Sequence, residues 1–324
     1  MEQLTDLKKQ FEIYLSQQIP QKEPQNLYAP LQYVLQNGGK RIRPLLVLLA
    51  TKSFGSPISE GMAAAAAIET FHNFTLIHDD IMDQAPIRRG LATVHQKWNE
   101  NIAILSGDTM LVWAYKMLES YEPKIYKQLN TLLNKTAIEV CEGQQMDMDF
   151  ENLAEVAIED YLQMIKLKTA VLLGTALEYG GIIAQTSPQN LQQINRFGTY
   201  IGLAFQIQDD YLDTFGNKED FGKRIGGDII DRKKTFLYIS AMNLANEKDK
   251  NSLLKLYQNK EIKPKNLISE VIAIFKKYHI EALAEKQIET YTQKALQALN
   301  QTDMPEKEKE FWKGFAFNLM KRSS

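Results

Sequence analysis

Two short segments carry the same acidic pattern, Asp79-Asp80-Ile81-Met82-Asp83 and Asp209-Asp210-Tyr211-Leu212-Asp213. In each, the first and last aspartates are four residues apart, so on a helix they stand one turn from each other on one face. A single such cluster is usually a solvated acidic patch. Both of these adjoin strongly apolar sequence, Phe74 to Ile77 and Ile201 to Ile207, where clustered like charges repel unless a cation neutralises them. Paired hard oxygen ligands suit magnesium, which keeps several waters and shares one or two carboxylates with phosphate oxygens. The chemistry implied is metal-bridged diphosphate binding.

Phosphate oxygens that metals leave unneutralised need side-chain cations, and three compact sources exist. The first is Gly38-Gly39-Lys40-Arg41-Ile42-Arg43-Pro44, whose glycines permit close backbone approach and whose Lys40 and Arg43 are expected to share a helical face. The second is Arg88-Arg89-Gly90, and the third is a basic, glycine-containing stretch from Phe215 to Lys234 that includes Lys223 and Lys233 and reads as a mobile loop. Each alone is commonly a solvated surface. Beside two acidic motifs they describe two diphosphate pockets, one metal-bridged and one held by side-chain cations. His72 lies two turns before Asp79 on the same face, placed either to donate to a phosphate oxygen or to serve as an ordinary structural histidine.

These residues need helices to carry them. Apolar residues recur at intervals of three and four, as in Ile68, Phe71 and Thr75 or Leu253, Leu256 and Tyr257. Alternating strand patterns with Asn-Gly or Asp-Gly turns are hard to find, and prolines such as Pro20, Pro30, Pro57, Pro123, Pro188, Pro264 and Pro305 read as connections. Roughly ten to twelve helices are expected, in a layered all-α bundle. No composition break divides it, so residues 1–324 read as one domain.

Hydrophobic residues make up 44% and charged residues 24% of the 324, an ordinary globular composition. Thirty-eight basic against 40 acidic side chains, net −2, give no general attraction to nucleic acid or an anionic membrane. One cysteine, Cys141, excludes an intramolecular disulfide and a cysteine-based zinc cluster, and its apolar flank predicts a buried thiol without a role. With no transmembrane or secretory apolar run, the expected location is cytoplasmic.

In their order along residues 38 to 235, the two aspartate motifs, Gly38 to Pro44, His72, Arg88-Arg89-Gly90, Lys168-Thr169, Phe205-Gln206, Lys223 and Lys233 resemble the trans-prenyl diphosphate synthases, which include farnesyl and geranylgeranyl diphosphate synthases. The resemblance implies a homodimer with an all-α fold around a deep central cavity. It further implies that Lys40, Arg43, His72 and Arg89 hold isopentenyl diphosphate. Asp79 and Asp83 would bind two magnesium ions and Asp209 a third. Arg88, Lys168, Thr169, Gln206, Lys223 and Lys233 would hold the allylic diphosphate and assist its ionisation. One departure is Asp231-Arg232-Lys233, where many relatives have glycine before the lysine.

The implied function is condensation of isopentenyl diphosphate with dimethylallyl, geranyl or farnesyl diphosphate to a linear C15 to C20 diphosphate. Alternatives are a longer-chain synthase, a non-catalytic regulatory subunit and a class I terpene cyclase. Intact aspartate motifs argue against the subunit; the second motif and the extra cationic pocket argue against the cyclase. Chain length depends on the floor beneath Asp79, where Phe71, Phe74 and Thr75 share a face. Phe71 serves equally as core or floor, the resemblance points to Phe74 as floor, and the smaller Thr75 favours C20, geranylgeranyl diphosphate, over C15.

Overall fold

The computed structural model describes residues 2–153, 155–216, 226–259 and 261–320. Among these, sixteen α-helical segments and one two-stranded hairpin form most of the regular structure, so the all-α expectation holds. The expected ten to twelve helices undercounted them, because single-turn helices such as Val94–Lys97 and Gly227–Ile230 are too short to show a period. No helix among the described residues is long and apolar enough to cross a membrane. The chain groups into two compact units.

The first unit contains residues up to Asn134 together with Thr175–Leu191. It begins with α1 (Glu2–Gln18), α2 (Gln25–Gln36), α3 (Ile42–Ser53) and α4 (Met62–Met82). A hairpin follows, β1 (Ile87–Arg88) with β2 (Leu91–Ala92), then α5 (Val94–Lys97) and α6 (Glu100–Met117). Parts of α7 (Pro123–Asn152) and α9 (Val171–Ile183) complete it. The alanine run makes α4 a strong helix with little side-chain entropy to lose. Burial of Ala64–Ala67, Ile68, Phe71, Phe74 and Ile77 then makes it the unit's core helix. It packs closely on α6: a Cβ at Gly107 would lie 2.3 Å from Nε2 of His78. Pro30, expected in a connection, lies buried inside α2, whereas Pro123 opens α7 as the helix-start preference predicts.

The second unit contains Lys135–Gly174 and the residues from Gln192 onward. It holds the rest of α7, α8 (Ile158–Ile165), a π-helical turn at Lys166–Ala170 and the greater part of α10 (Pro188–Phe215). Helices α11 (Gly227–Ile230), α12 (Phe236–Leu244), α13 (Glu247–Gln258), α14 (Pro264–Lys277), α15 (Ile280–Asn300) and α16 (Glu306–Met320) follow. Tyr161, Leu203, Ile207, Leu237, Val271 and Phe275 build its core. Cys141, expected to be buried, is exposed on α7. Its pKa is raised by partial desolvation and by Glu142, so the group is a thiol rather than a reactive thiolate.

Candidate active site

The first aspartate motif occupies the last turn of α4, with Asp83 as the C-cap, its amide donating to the Asp79 carbonyl at 2.9 Å. Carboxylates at a helix C-terminus face the negative end of the helix dipole, so the position demands cations. The hairpin supplies one. Arg88 donates from Nε to Asp80 at 2.6 Å and from a terminal nitrogen to Asp79 at 3.1 Å. Asp80 is buried, and that burial raises its pKa against the opposing pull of Arg88. Arg89 and Gly90 both have positive φ, 53° and 78°, as a tight two-residue hairpin requires. Thr93 fixes the hairpin base by donating its hydroxyl to the Ala85 carbonyl at 2.7 Å.

Across the same unit, α3 starts only at Ile42, after Arg41 in the left-handed region at φ 51°. Lys40 is therefore an exposed loop residue, and the expectation that it shares a helical face with Arg43 is corrected. Arg41 turns inward instead, pairing with the buried Glu69 of α4 and donating to the Leu35 carbonyl at 2.5 Å. Arg43 reaches His72 at 3.2 Å. An arginine N–H only donates, so Nε2 of His72 accepts and its other ring nitrogen carries the proton. Burial, then Arg43, Arg89, Arg88 and Arg41, hold the His72 pKa well below its usual value, so the ring is neutral. Arg43 itself is lowered to about 10, first by burial and then by Arg89, with Glu69 opposing. Arg89 is also lowered by burial and by Arg41 and Arg88. Guanidinium groups that disfavour one another's charge form a cluster whose repulsion a polyanion would relieve.

Beneath Asp79 on α4, the rings of Phe71 and Phe74 lie 5.7 Å apart and those of Phe74 and His78 lie 4.9 Å apart. Phe71 is fully buried and Phe74 nearly so. Thr75 donates its hydroxyl to the His72 carbonyl at 2.8 Å.

In the second unit the other aspartate motif closes α10. Its three carboxylates have separate surroundings. Asp210 is buried and accepts from the Tyr161 hydroxyl, from the Phe236 amide at 3.2 Å and from Nε2 of Gln206 at 3.4 Å. Burial and Asp228 raise its pKa to about 8. Asp213, also buried, accepts the Asp228 amide at 2.9 Å and so fixes the start of α11. Asp209 is only half-buried. Asp228, which sequence reasoning did not single out, is raised to about 6 by burial and by Asp213, Asp209 and Asp231, against the pull of Lys233. Carboxylates that raise one another's pKa favour a nearby cation, and their hard oxygens are of the type magnesium takes, although among the described residues no three acidic, histidine or cysteine side chains are already arranged to hold a metal ion.

Lys168 and Thr169 sit on the π-helical turn, a feature that often marks functional positions. Two glycines clear space for it. A Cβ at Gly143 would lie 2.3 Å from the Lys168 amide nitrogen, and one at Gly202 would lie 2.6 Å from Cα of Ala170. Lys168 pairs with Asp147 at 2.6 Å, and the Thr169 hydroxyl donates to Oε1 of Gln206 at 3.4 Å.

The basic stretch is less uniform than its sequence implies. Lys234 donates to the carbonyls of Phe150, Glu151 and Leu153 at the end of α7. Lys233 lies 3.9 Å from Asp228. Arg232 sits at φ 56°, where glycine is favoured, and donates to the carbonyls of Ile230 and Asn259 at 2.8 and 2.7 Å. Arg232 thus takes up a glycine-like backbone conformation and uses its side chain for two bonds. Gly227–Ile230 is helical rather than loop. Lys223 lies outside the described residues.

The first unit thus brings Arg43, His72, Arg88, Arg89 and Asp79 together, with Asp83 one turn beyond Asp79; in the second, Thr169 meets Gln206, Lys168 meets Asp147, and Lys233 and Asp209 both lie near Asp228. Arg41, Glu69, Asp147, Tyr161 and Asp228 are the supporting residues that the sequence reading missed.

The polyprenyl synthetase family profile matches residues 24–275. The chain is 39% identical over 256 residues to a short chain isoprenyl diphosphate synthase of Methanothermobacter thermautotrophicus, covering 79% of this chain and 78% of that one. It is 35% identical over 317 residues to a geranylgeranyl diphosphate synthase of Sulfolobus acidocaldarius, covering 95% and 94%. A crystal structure of a geranylgeranyl pyrophosphate synthase superposes with a TM-score of 0.93 at 42% identity, covering 99% of both chains. With its cluster of arginines around His72 and its two helix-terminal aspartate motifs, the chain belongs to the polyprenyl synthetase family.

Proposed function

We propose that the protein is a magnesium-dependent short-chain trans-prenyltransferase that condenses isopentenyl diphosphate with an allylic diphosphate, with geranylgeranyl diphosphate as its product. The observation that carries the reading is the presence of two contrasting charge environments, one in each unit. One is an arginine-rich pocket around a neutral histidine; the other is carboxylates crowded at a helix end. Arg43, Arg89, His72 and Lys40 hold isopentenyl diphosphate. Asp79, Asp83 and Asp209 would hold three magnesium ions, which would supply positive charge to the diphosphate leaving group. Arg88, Lys168, Lys223 and Lys233 add charge there, and the Thr169 hydroxyl and the Gln206 amide are dipoles near the allylic end.

The allylic carbon–oxygen bond breaks with its electron pair going to diphosphate. The isopentenyl double bond attacks the cation, and the released diphosphate takes the proton then lost, so no protein base is required. Phe74 and Phe71 keep the growing tail's surroundings apolar and exclude water from the cation. The small Thr75 beside Phe74, and the geranylgeranyl diphosphate synthases among the relatives, support C20. We propose further that residues 1–324 work as one domain, in keeping with a family profile that runs through both units, and that the enzyme is a cytoplasmic homodimer.

Asp79→Ala and Asp209→Ala test the reading. Each is expected to lower condensation by about three orders of magnitude or more while leaving the helical fold intact, because the acidic repulsion relieved offsets lost contacts such as that of Asp79 with Arg88. Near-normal turnover in either variant at saturating magnesium would remove that residue from the metal site.

A further inference from the structure

The glycine-rich loop between α2 and α3 is held from three sides. Gly38 and Gly39 have φ of 66° and 120°, conformations that only glycine adopts easily and that leave the free loop with much entropy to lose on ordering. Arg89 of the hairpin donates to the Gly38 carbonyl at 2.9 Å. Lys8 of α1 donates to the Gly39 carbonyl at 2.8 Å. One turn along α1, Glu12 lies 3.7 Å from Nε of Arg41 and 3.8 Å from Lys8. Lys8 and Glu12 both precede residue 24, where the family profile begins.

A carbonyl oxygen turned toward an anion repels it, and a loop that orders only on binding diminishes affinity. Cations on both glycine carbonyls answer both problems. They fix the oxygens away from the anion and hold the short segment between α2 and Arg43 in one shape.

We propose that Lys8 and Glu12 are positioning residues for isopentenyl diphosphate: α1 straps the Gly38–Arg41 loop so that Lys40 and Arg43 stand ready for the diphosphate. The proposal rests on the reading of Arg43 and Lys40 as the isopentenyl diphosphate pocket.

The test measures KM for each substrate with the other saturating, in wild type and in Lys8→Met, Lys8→Arg, Glu12→Gln and Arg43→Ala. Lys8→Met is expected to raise the KM for isopentenyl diphosphate about three- to tenfold, with the allylic KM unchanged. Glu12→Gln shifts the same constant less, and Lys8→Arg, which can still donate to the Gly39 carbonyl, restores most of the affinity. Thermal melts of all variants confirm that each is folded. If Arg43→Ala raises the isopentenyl KM and Lys8→Met does not, the strap is refuted and the pocket stands. If Lys8→Met raises both KM values equally, α1 acts on the whole fold and the proposal is likewise overturned. An unchanged isopentenyl KM in Arg43→Ala overturns the pocket and the strap with it.

Discussion

The π-helical turn that carries Lys168 and Thr169 depends on Gly143, and replacing that glycine by alanine gives a prediction that can be worked from distances. The added Cβ would lie 2.3 Å from the Lys168 amide nitrogen and 2.8 Å from both its Cα and the Leu167 carbonyl carbon. These are backbone atoms and cannot rotate aside. Reaching an ordinary contact requires the turn and α7 to part by about 1 Å, and a displacement of that size at a reacting centre costs on the order of 100-fold in rate. Overpacking costs about 1–3 kcal/mol, partly offset by the ~0.5–1 kcal/mol that alanine gains over glycine in a helix. At about 2 cal/mol/K of unfolding entropy per residue, a net loss near 1–2 kcal/mol lowers Tm by about 2–3 °C. Gly314 of α16 is the control, because a Cβ there meets nothing within 4 Å. Gly314→Ala is expected to gain ~0.5–1 kcal/mol and keep its rate. Initial rates at saturating substrates, together with circular dichroism melts, read both effects. A folded Gly143→Ala enzyme with turnover within a few-fold of wild type would refute the idea that the π turn positions the catalytic lysine and threonine.

Removing the Phe74 ring opens volume between Phe71 and His78, so Phe74→Ala should yield C25 and longer products, while Thr75→Phe should yield mainly C15. Mass analysis reads both, and an unchanged distribution in two active variants places the floor elsewhere. Glu69→Gln leaves the buried Arg41 with the more exposed Glu12, 3.7 Å away, in place of its buried partner and should cost up to about 3 kcal/mol in denaturant unfolding. Adding Arg41→Met should recover most of that, and a double variant no better than the single one contradicts the assignment. Lys233→Ala should raise the KM of the allylic substrate and not that of isopentenyl diphosphate; equal effects on both would argue against separate pockets.

Much of the chemistry was legible because it resides in residue types at fixed spacing. The aspartate motifs, the arginines and His72 announce charge that an apolar setting cannot leave unpaired. The family resemblance assigns Arg43 and His72 to one substrate, but the bond between them is seen only in the structure. What was hidden depends on backbone shape or on burial. Lys40 was assigned to a helix because nothing in Gly-Gly-Lys-Arg-Ile-Arg says that Arg41 turns left-handed and dives toward Glu69. The Arg89-Gly90 hairpin lacked the Asn-Gly or Asp-Gly signal, although it has the required positive φ at both central residues. The π turn has no single-sequence mark. Nothing in the sequence singles out Asp228; its nearness to Asp213 and Asp209 in the structure does. Cys141 was judged by its apolar neighbours in sequence, but on a helix neighbours in sequence point in different directions.

The most direct test of the account is product mass after the purified chain is incubated with isopentenyl diphosphate, magnesium and, in turn, dimethylallyl, geranyl and farnesyl diphosphate. The account predicts linear geranylgeranyl diphosphate as the main end product from each starter. A cyclic hydrocarbon, or no elongated diphosphate from any starter, would contradict it.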